Sequence, residues 1–193
     1  MSNVLPLLPD QYYHVYNRGN NGEPLFREGR NYPYFLRLYA RYVEPVAETY
    51  AYCLLKNHFH LLVRIKDRQS SGPPSPSHAF AVLFSTYTKA INRAYTRTGS
   101  LFEKPFRRKL VDNDRYFFAL VAYIHRNPQK HGFVPDFRDW PYSSYAAILS
   151  AKPTRIQRDR VLGWFEGRAG FQEAHRQEVD EATIRPLIAE DWS

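Results

Sequence analysis

The stretch VAETYAYCLLKNHFHLLVRI at 46–65 constrains the fold more than any other part of the chain. Its two halves, 46–55 and 57–65, are rich in β-branched, aromatic and aliphatic residues. Only LKN or so divides them, so the spacing predicts an antiparallel hairpin. Side chains alternate between faces along a strand. Phe59, Leu61, Val63 and Ile65 therefore form one apolar face for helices to cover, and His58, His60, Leu62 and Arg64 point the other way. On that second face the two imidazoles are neighbours, close enough to share one metal ion.

The flanking segments fill in around this hairpin. YYHVYNR at 12–18 is β-rich and runs into GNNG at 19–22, a turn signal. Residues 28–43 carry Phe35, Leu38, Tyr39 and Tyr42 at helical spacing, with Pro33 suited to a first turn. DRQSSGPPSPSH at 67–78 reads as a loop, 79–95 as a helix closed by Gly99, and 101–111 as a strand. Pro105 cannot donate to a ladder, which argues for an edge strand or a bulge there. A helix is expected over 114–127, stopped by Pro128, and a short one within 139–149. The order β-α-β-β-α-β-α implies an α+β sandwich, an antiparallel sheet with helices packed on a face. The expected division is a first unit at 1–150 and a second at 151–193, made of a basic segment and an acidic helical tail.

Composition narrows the class. Apolar residues are 44% of the 193, too many for a disordered chain. No stretch approaches the roughly 20 apolar residues that cross a bilayer, and the N-terminus lacks a secretory pattern. A cytoplasmic protein without a membrane partner is expected. One cysteine, Cys53, excludes an internal disulfide framework and a multi-cysteine zinc site. The net charge of +8 is unevenly placed: residues 171–193 carry −4 and the first 170 carry +12. A basic body with 16% aromatics suggests a nucleic-acid partner, because cations displace phosphate counterions and rings stack on bases.

The helix at 114–127 bears on the histidine pair. Phe117, Leu120, Val121 and Ile124 form its core stripe at about 100° per residue. Tyr123 and Asn127, four apart, form a separate line, so a hydroxyl and an amide emerge together. His125 lies nearly opposite Tyr123. Two readings are open: ordinary rim and sheet-face polar residues, or a site. In the second, His58, His60 and the Asn127 oxygen could hold a divalent cation, with Tyr123 one turn away to attack a phosphate polarised by it. Oxygen and imidazole donors without thiolate suit Mg²⁺ or Mn²⁺.

YHVYNRGNNGEPLF, YCLLKNHFHLLV, YIHRNPQKHGFV and WPYSSY, in that order over about residues 11–146, resemble the REP-associated tyrosine transposases. These are relatives of the IS200/IS605-type single-strand transposases within the HUH endonuclease superfamily. Lys56 stands where that family commonly has proline, and Gln129 where a small aliphatic usually follows Asn-Pro. The resemblance implies an HUH (ferredoxin-like, RRM-like) fold with the histidines on a central strand. It implies His58, His60 and Asn127 as metal ligands and Tyr123 as the single nucleophile, forming a 5′-phosphotyrosine. The implied substrate is single-stranded DNA with an imperfect palindromic hairpin and a flanking tetranucleotide, cleaved and transferred by a bacterial, nucleoid-associated enzyme.

For DNA contact, Lys104, Arg107, Arg108 and Lys109 form the densest basic cluster, and Arg93, Arg97, Arg126 and Lys130 are candidates for the same surface. Lys56 and Arg18, with the 19–22 turn, are further candidates. Trp140, Tyr142 and Tyr145 suit either base stacking or a core. The charge split suggests an acidic tail that folds back on the basic surface and competes with DNA. Three activities compete: a tyrosine DNA transferase, a non-catalytic nucleic-acid binder on an RRM-like sheet, and a metal hydrolase using activated water. Both a monomer and a homodimer with the site completed in trans are compatible with the sequence.

Overall fold

A computed structural model describes residues 5–67 and 75–188, the side chains of Asp114 and Arg115 excepted. Most of the expected 67–78 loop, together with Glu190 and Asp191 of the tail, lies outside the described residues. The sheet has four antiparallel strands, β1 (Tyr12–Arg18), β2 (Ala47–Leu54), β3 (His58–Ile65) and β4 (Arg107–Val111), in the order β2-β3-β1-β4. The β2–β3 hairpin is as the sequence predicts, and β3 lies inside the sheet. β4 is an edge strand, and it begins at Arg107, six residues later than its apolar pattern suggests, which leaves Pro105 outside the strand.

Two helices cover one face: α1 (Asn31–Tyr42) and α2 (Pro76–Ala94). Their buried Phe35, Leu38, Phe80, Leu83 and Tyr87 pack with Tyr13, Val15, Phe59, Leu61, Val63 and Ile65 of the strands. α2 starts earlier than the periodicity indicates, because Ser75 caps it by accepting from the His78 amide at 3.3 Å and Pro76 fits the first turn.

The opposite face, which carries the histidines, is covered as well, so the histidines are not half-exposed polar residues on an open sheet face. α3 (Asp114–Lys130), α4 (Tyr145–Leu149), α5 (Arg158–Trp164), α6 (Arg168–Arg176) and α7 (Glu181–Ile188) build this layer. Leu62, Ala51, Cys53 and Val111 of the sheet share a core with Leu120, Val121, Phe165, Phe171, Ile184 and Leu187. The cover comes from residues of the chain that follow the last strand. The core runs without a break across residue 150, the boundary drawn from composition. Nor can 171–188 swing away as a loose tail, since Phe171 and Ile184 are fully buried.

Two local features depart from the sequence reading. A register shift between Thr49 and Ala51 leaves Tyr50 as a bulge, and its ring stacks on Trp164 at 5.0 Å. α3 continues through Pro128 to Lys130 instead of stopping at Asn127. A proline this close to a helix end removes only one intrahelical donor. The turn closes with the His131 amide on the Asn127 carbonyl, and Gly132 takes φ 69°, the left-handed position that ends many helices.

Candidate active site

Strand alternation and helix periodicity converge on one place. The β1–β3 register sets His58 opposite Arg18, His60 opposite Tyr16 and Leu62 opposite His14, so these six side chains share the face under α3. The ring of Tyr123 on α3 meets the ring of His60 edge-on, centroids 5.7 Å apart. His58 and His60 lie 5.2 Å apart, nearly perpendicular. Asn127, one turn beyond Tyr123, is fully buried and close enough to His58 to interact with it. His125 points away, to Ser144 and His175 at 2.7 and 2.8 Å, as its helical angle requires.

The donors have defined roles. Asn127 Nδ2 donates to the Tyr123 carbonyl at 3.1 Å, while its Oδ1 is buried without a hydrogen bond of ordinary geometry. A buried carbonyl oxygen left without a donor costs free energy. Asn57 Oδ1 lies 2.8 Å from His58 Nδ1, so that nitrogen donates and the His58 lone pair sits on Nε2. Burial pushes the His58 pKa down to about 4, aided by the nearby His131 and opposed by Asn127. Burial also drives His60 well below the ordinary value, with His58 and His14 adding to it. Both imidazoles are therefore neutral at pH 7, the form that ligates metals. Two imidazole nitrogens and an orphaned amide oxygen fit a divalent cation. Asn127 is decisive, because no third His, Cys, Asp or Glu completes such a group among the described residues.

Tyr123 is only 2% exposed. A pocket beside it is lined by Arg126, Gln129, Lys130, Glu178, Val179 and Glu181. Lys130 Nζ sits 5.0 Å from the Tyr123 ring centroid and pairs with Glu181 at 2.6 Å. Acidic residues of the C-terminal segment thus stand beside the tyrosine.

The basic residues do not share one surface. Neighbours on a strand face opposite ways, so Arg107 and Lys109 lie on the histidine face, opposite Tyr16 and His14. Arg108 lies on the other face, donating to Ser77 at 2.7 Å with its guanidinium over Phe106. Lys56, Arg93 and Lys104 are exposed. Arg18 pairs with Glu103 at 2.5 Å and Arg97 with Glu23 at 2.8 Å. Arg126 donates to the His175 carbonyl at 2.7 Å, a structural tie between α3 and α6.

The amides of Gly19, Asn20 and Gly22 are engaged within the fold, so the turn is structural. A Cβ at Gly19 would fall 1.8 Å from the Glu23 carbonyl oxygen, which explains the glycine. Trp140, Tyr142 and Tyr145 serve packing: Trp140 Nε1 donates to the Leu54 carbonyl, and Tyr142 stacks on Tyr32 at 3.5 Å.

Two further histidines, His14 and His131, which no motif in the sequence singles out, border the site. His14 Nε2 lies 3.0 Å from His60 Nδ1, and the His131 ring is 4.8 Å from that of His58. Strand alternation puts His14 on a face with Tyr12 and Tyr16, but no local signal specifies the β1–β3 register that brings it to His60.

The architecture is an α+β sandwich, with a histidine pair on an inner strand facing a helix that carries tyrosine and asparagine. Comparison with known proteins agrees with the resemblance read from the motifs. The chain is 30% identical over 114 residues to a curated protein of Haemophilus influenzae named "Putative REP-associated tyrosine transposase", covering 54% of this chain and 62% of that protein. The chain thus aligns with less than two thirds of that relative's length. Among solved structures, a REP-associated tyrosine transposase bound to a REP hairpin superposes with a TM-score of 0.64 at 19% identity, over 79% of this chain and 89% of that one. A bacterial tRNA(His) guanylyltransferase-like protein in complex with ATP reaches only 0.42 at 10% identity, over 70% and 69%, and carries no argument. No family model matches. No helix among the described residues is long and apolar enough to cross a membrane.

Proposed function

We propose that this protein is a metal-dependent single-stranded DNA endonuclease and strand transferase that acts on hairpin-forming palindromic DNA. What carries the reading is the meeting, under α3, of two neutral imidazoles, a buried orphan amide oxygen and a tyrosine ring 5.7 Å from His60. The H. influenzae relative and the hairpin-bound fold neighbour support DNA of this class as the substrate.

His58, His60 and Asn127 would hold Mg²⁺ or Mn²⁺, which supplies Lewis-acid polarisation of the scissile phosphate. Tyr123 Oη attacks phosphorus and loses its proton. The bond to the 3′-oxygen breaks, that oxygen takes up a proton, and the 5′-phosphate remains on the tyrosine. Attack by a 3′-hydroxyl on the phosphotyrosine reverses the step and joins strands. Lys130, beside the ring, favours the developing phenolate. The exposed Lys56, Arg93 and Lys104 suit phosphate contacts, which position DNA without reading sequence.

Incubation with a labelled hairpin oligonucleotide and Mg²⁺ or Mn²⁺ tests this. The expected result is a covalent protein–DNA adduct, lost in Tyr123→Phe. Cleavage that survives Tyr123→Phe points instead to activated water. Tight binding with no adduct on any hairpin substrate points to a binding protein. The covering of both sheet faces already disfavours an RRM-like binder, which needs an open sheet for stacking.

A further inference from the structure

We propose that His14 is a positioning residue, which transmits a hydrogen bond from the backbone of the C-terminal helix to His60 and thereby sets the tautomer in which His60 ligates a metal. The inference rests on the metal-dependent reading above and adds to it a residue outside the His58–His60–Asn127 set.

Hydrogen-bond direction fixes the chain of protons. The Leu187 carbonyl oxygen only accepts, so His14 Nδ1, 3.0 Å away, donates to it. His14 is fully buried, and its two ring nitrogens face a backbone carbonyl and another imidazole; neither partner is an anion that would offset burying a charge, so the ring carries one proton. That proton is on Nδ1, and Nε2 is bare. Bare Nε2 accepts from His60 Nδ1 at 3.0 Å. A neutral His60 protonated on Nδ1 carries its lone pair on Nε2, the same nitrogen His58 presents. A hydrogen bond to the other ring nitrogen is the usual way proteins fix the tautomer and orientation of a metal-binding histidine.

The ends of this chain are suited to the task. Leu187 is on α7, and its carbonyl oxygen accepts from the buried His14 ring. The rings are also held in place: His14 stacks on Tyr16 at 4.6 Å and 23°, and on His60 at 5.2 Å and 18°. The C-terminal helix thus does more than cover the site; its backbone sets the proton position on a candidate ligand in β3.

The test is ring-nitrogen NMR on the full-length protein with ¹⁵N-histidine, in EDTA near pH ~7.5, paired with Mn²⁺ titration followed by electron paramagnetic resonance. The wild type should show His60 protonated on Nδ1 and bare on Nε2. His14→Phe keeps a ring but removes the acceptor. It should move the His60 proton toward Nε2 and weaken Mn²⁺ binding by about 10–100-fold. His14→Gln can donate through its amide nitrogen to Leu187 and accept through its oxygen from His60, and should restore both readouts.

A wild-type His60 protonated on Nε2 overturns the proposal. So does a folded His14→Phe variant with unchanged Mn²⁺ affinity. If His14→Phe does not fold, the wild-type and His14→Gln spectra decide. A wild type with the expected tautomer that binds no Mn²⁺ supports the hydrogen-bond chain and instead refutes the metal-dependent function.

Discussion

Acidification to pH 5.5 is expected to cost this protein a large part of its stability, through histidines rather than carboxylates. His14, His58 and His175 are buried, and burial pushes each of their pKa values down to about 4. In the unfolded chain each returns to about 6.5. A depressed histidine pKa means that the unfolded state binds the proton first. The stabilisation is therefore complete above about pH 6.5 and is lost as pH falls from there toward about 4. At pH 5.5 each such histidine costs about 1.4 kcal/mol, so the three together cost up to about 4 kcal/mol, against the 5–15 kcal/mol of a typical domain. His60 and His125, also held down by burial, act in the same direction. Carboxylates titrate mostly below this window. Urea denaturation in EDTA, followed by tryptophan fluorescence at pH 7.5 and 5.5, measures the difference. His175→Gln should remove about 1.4 kcal/mol of the pH dependence. Equal or greater stability at pH 5.5 would refute the argument that these imidazoles are buried and neutral.

Three further outcomes are expected. Phe171→Ala removes a fully buried ring packed against His125, Tyr145, Phe165 and His175, and should cost about 3–5 kcal/mol in urea denaturation. Asn127→Ala should weaken Mn²⁺ binding in calorimetry, whereas Tyr123→Phe should leave it unchanged; equal effects would place the metal elsewhere. The double change Glu178→Gln, Glu181→Gln removes two negative charges beside the Tyr123 pocket and should tighten hairpin binding at low salt, the gain fading as salt rises. Unchanged or weaker binding would show that the acidic segment does not compete with DNA. Deleting residues 171–193 cannot serve as this test, because it removes Phe171, Ile184 and Leu187 from the core.

Much of the candidate site was legible because it depends on short-range periodicity. A two-residue period puts His58 and His60 on one face of β3, and a 3.6-residue period puts Tyr123 and Asn127 on one line of α3 with His125 turned away. The same periods marked the β2–β3 hairpin and the helices on the apolar face. The opposite facing of Arg107 and Arg108 also follows from strand alternation, although their shared charge suggested a single patch. What local pattern could not carry was partnership across distance. That Leu187 meets His14, that His14 meets His60, and that Phe165, Phe171 and Ile184 close over the histidine face depend on strand register and helix docking. These contacts join residues 46 to 173 positions apart, and no periodicity within a window of a dozen residues specifies which distant apolar surface will bury which polar face. The sequence by itself therefore determined which side chains face together within each element, and tertiary packing alone decided that the histidine face is buried and which backbone group orients it.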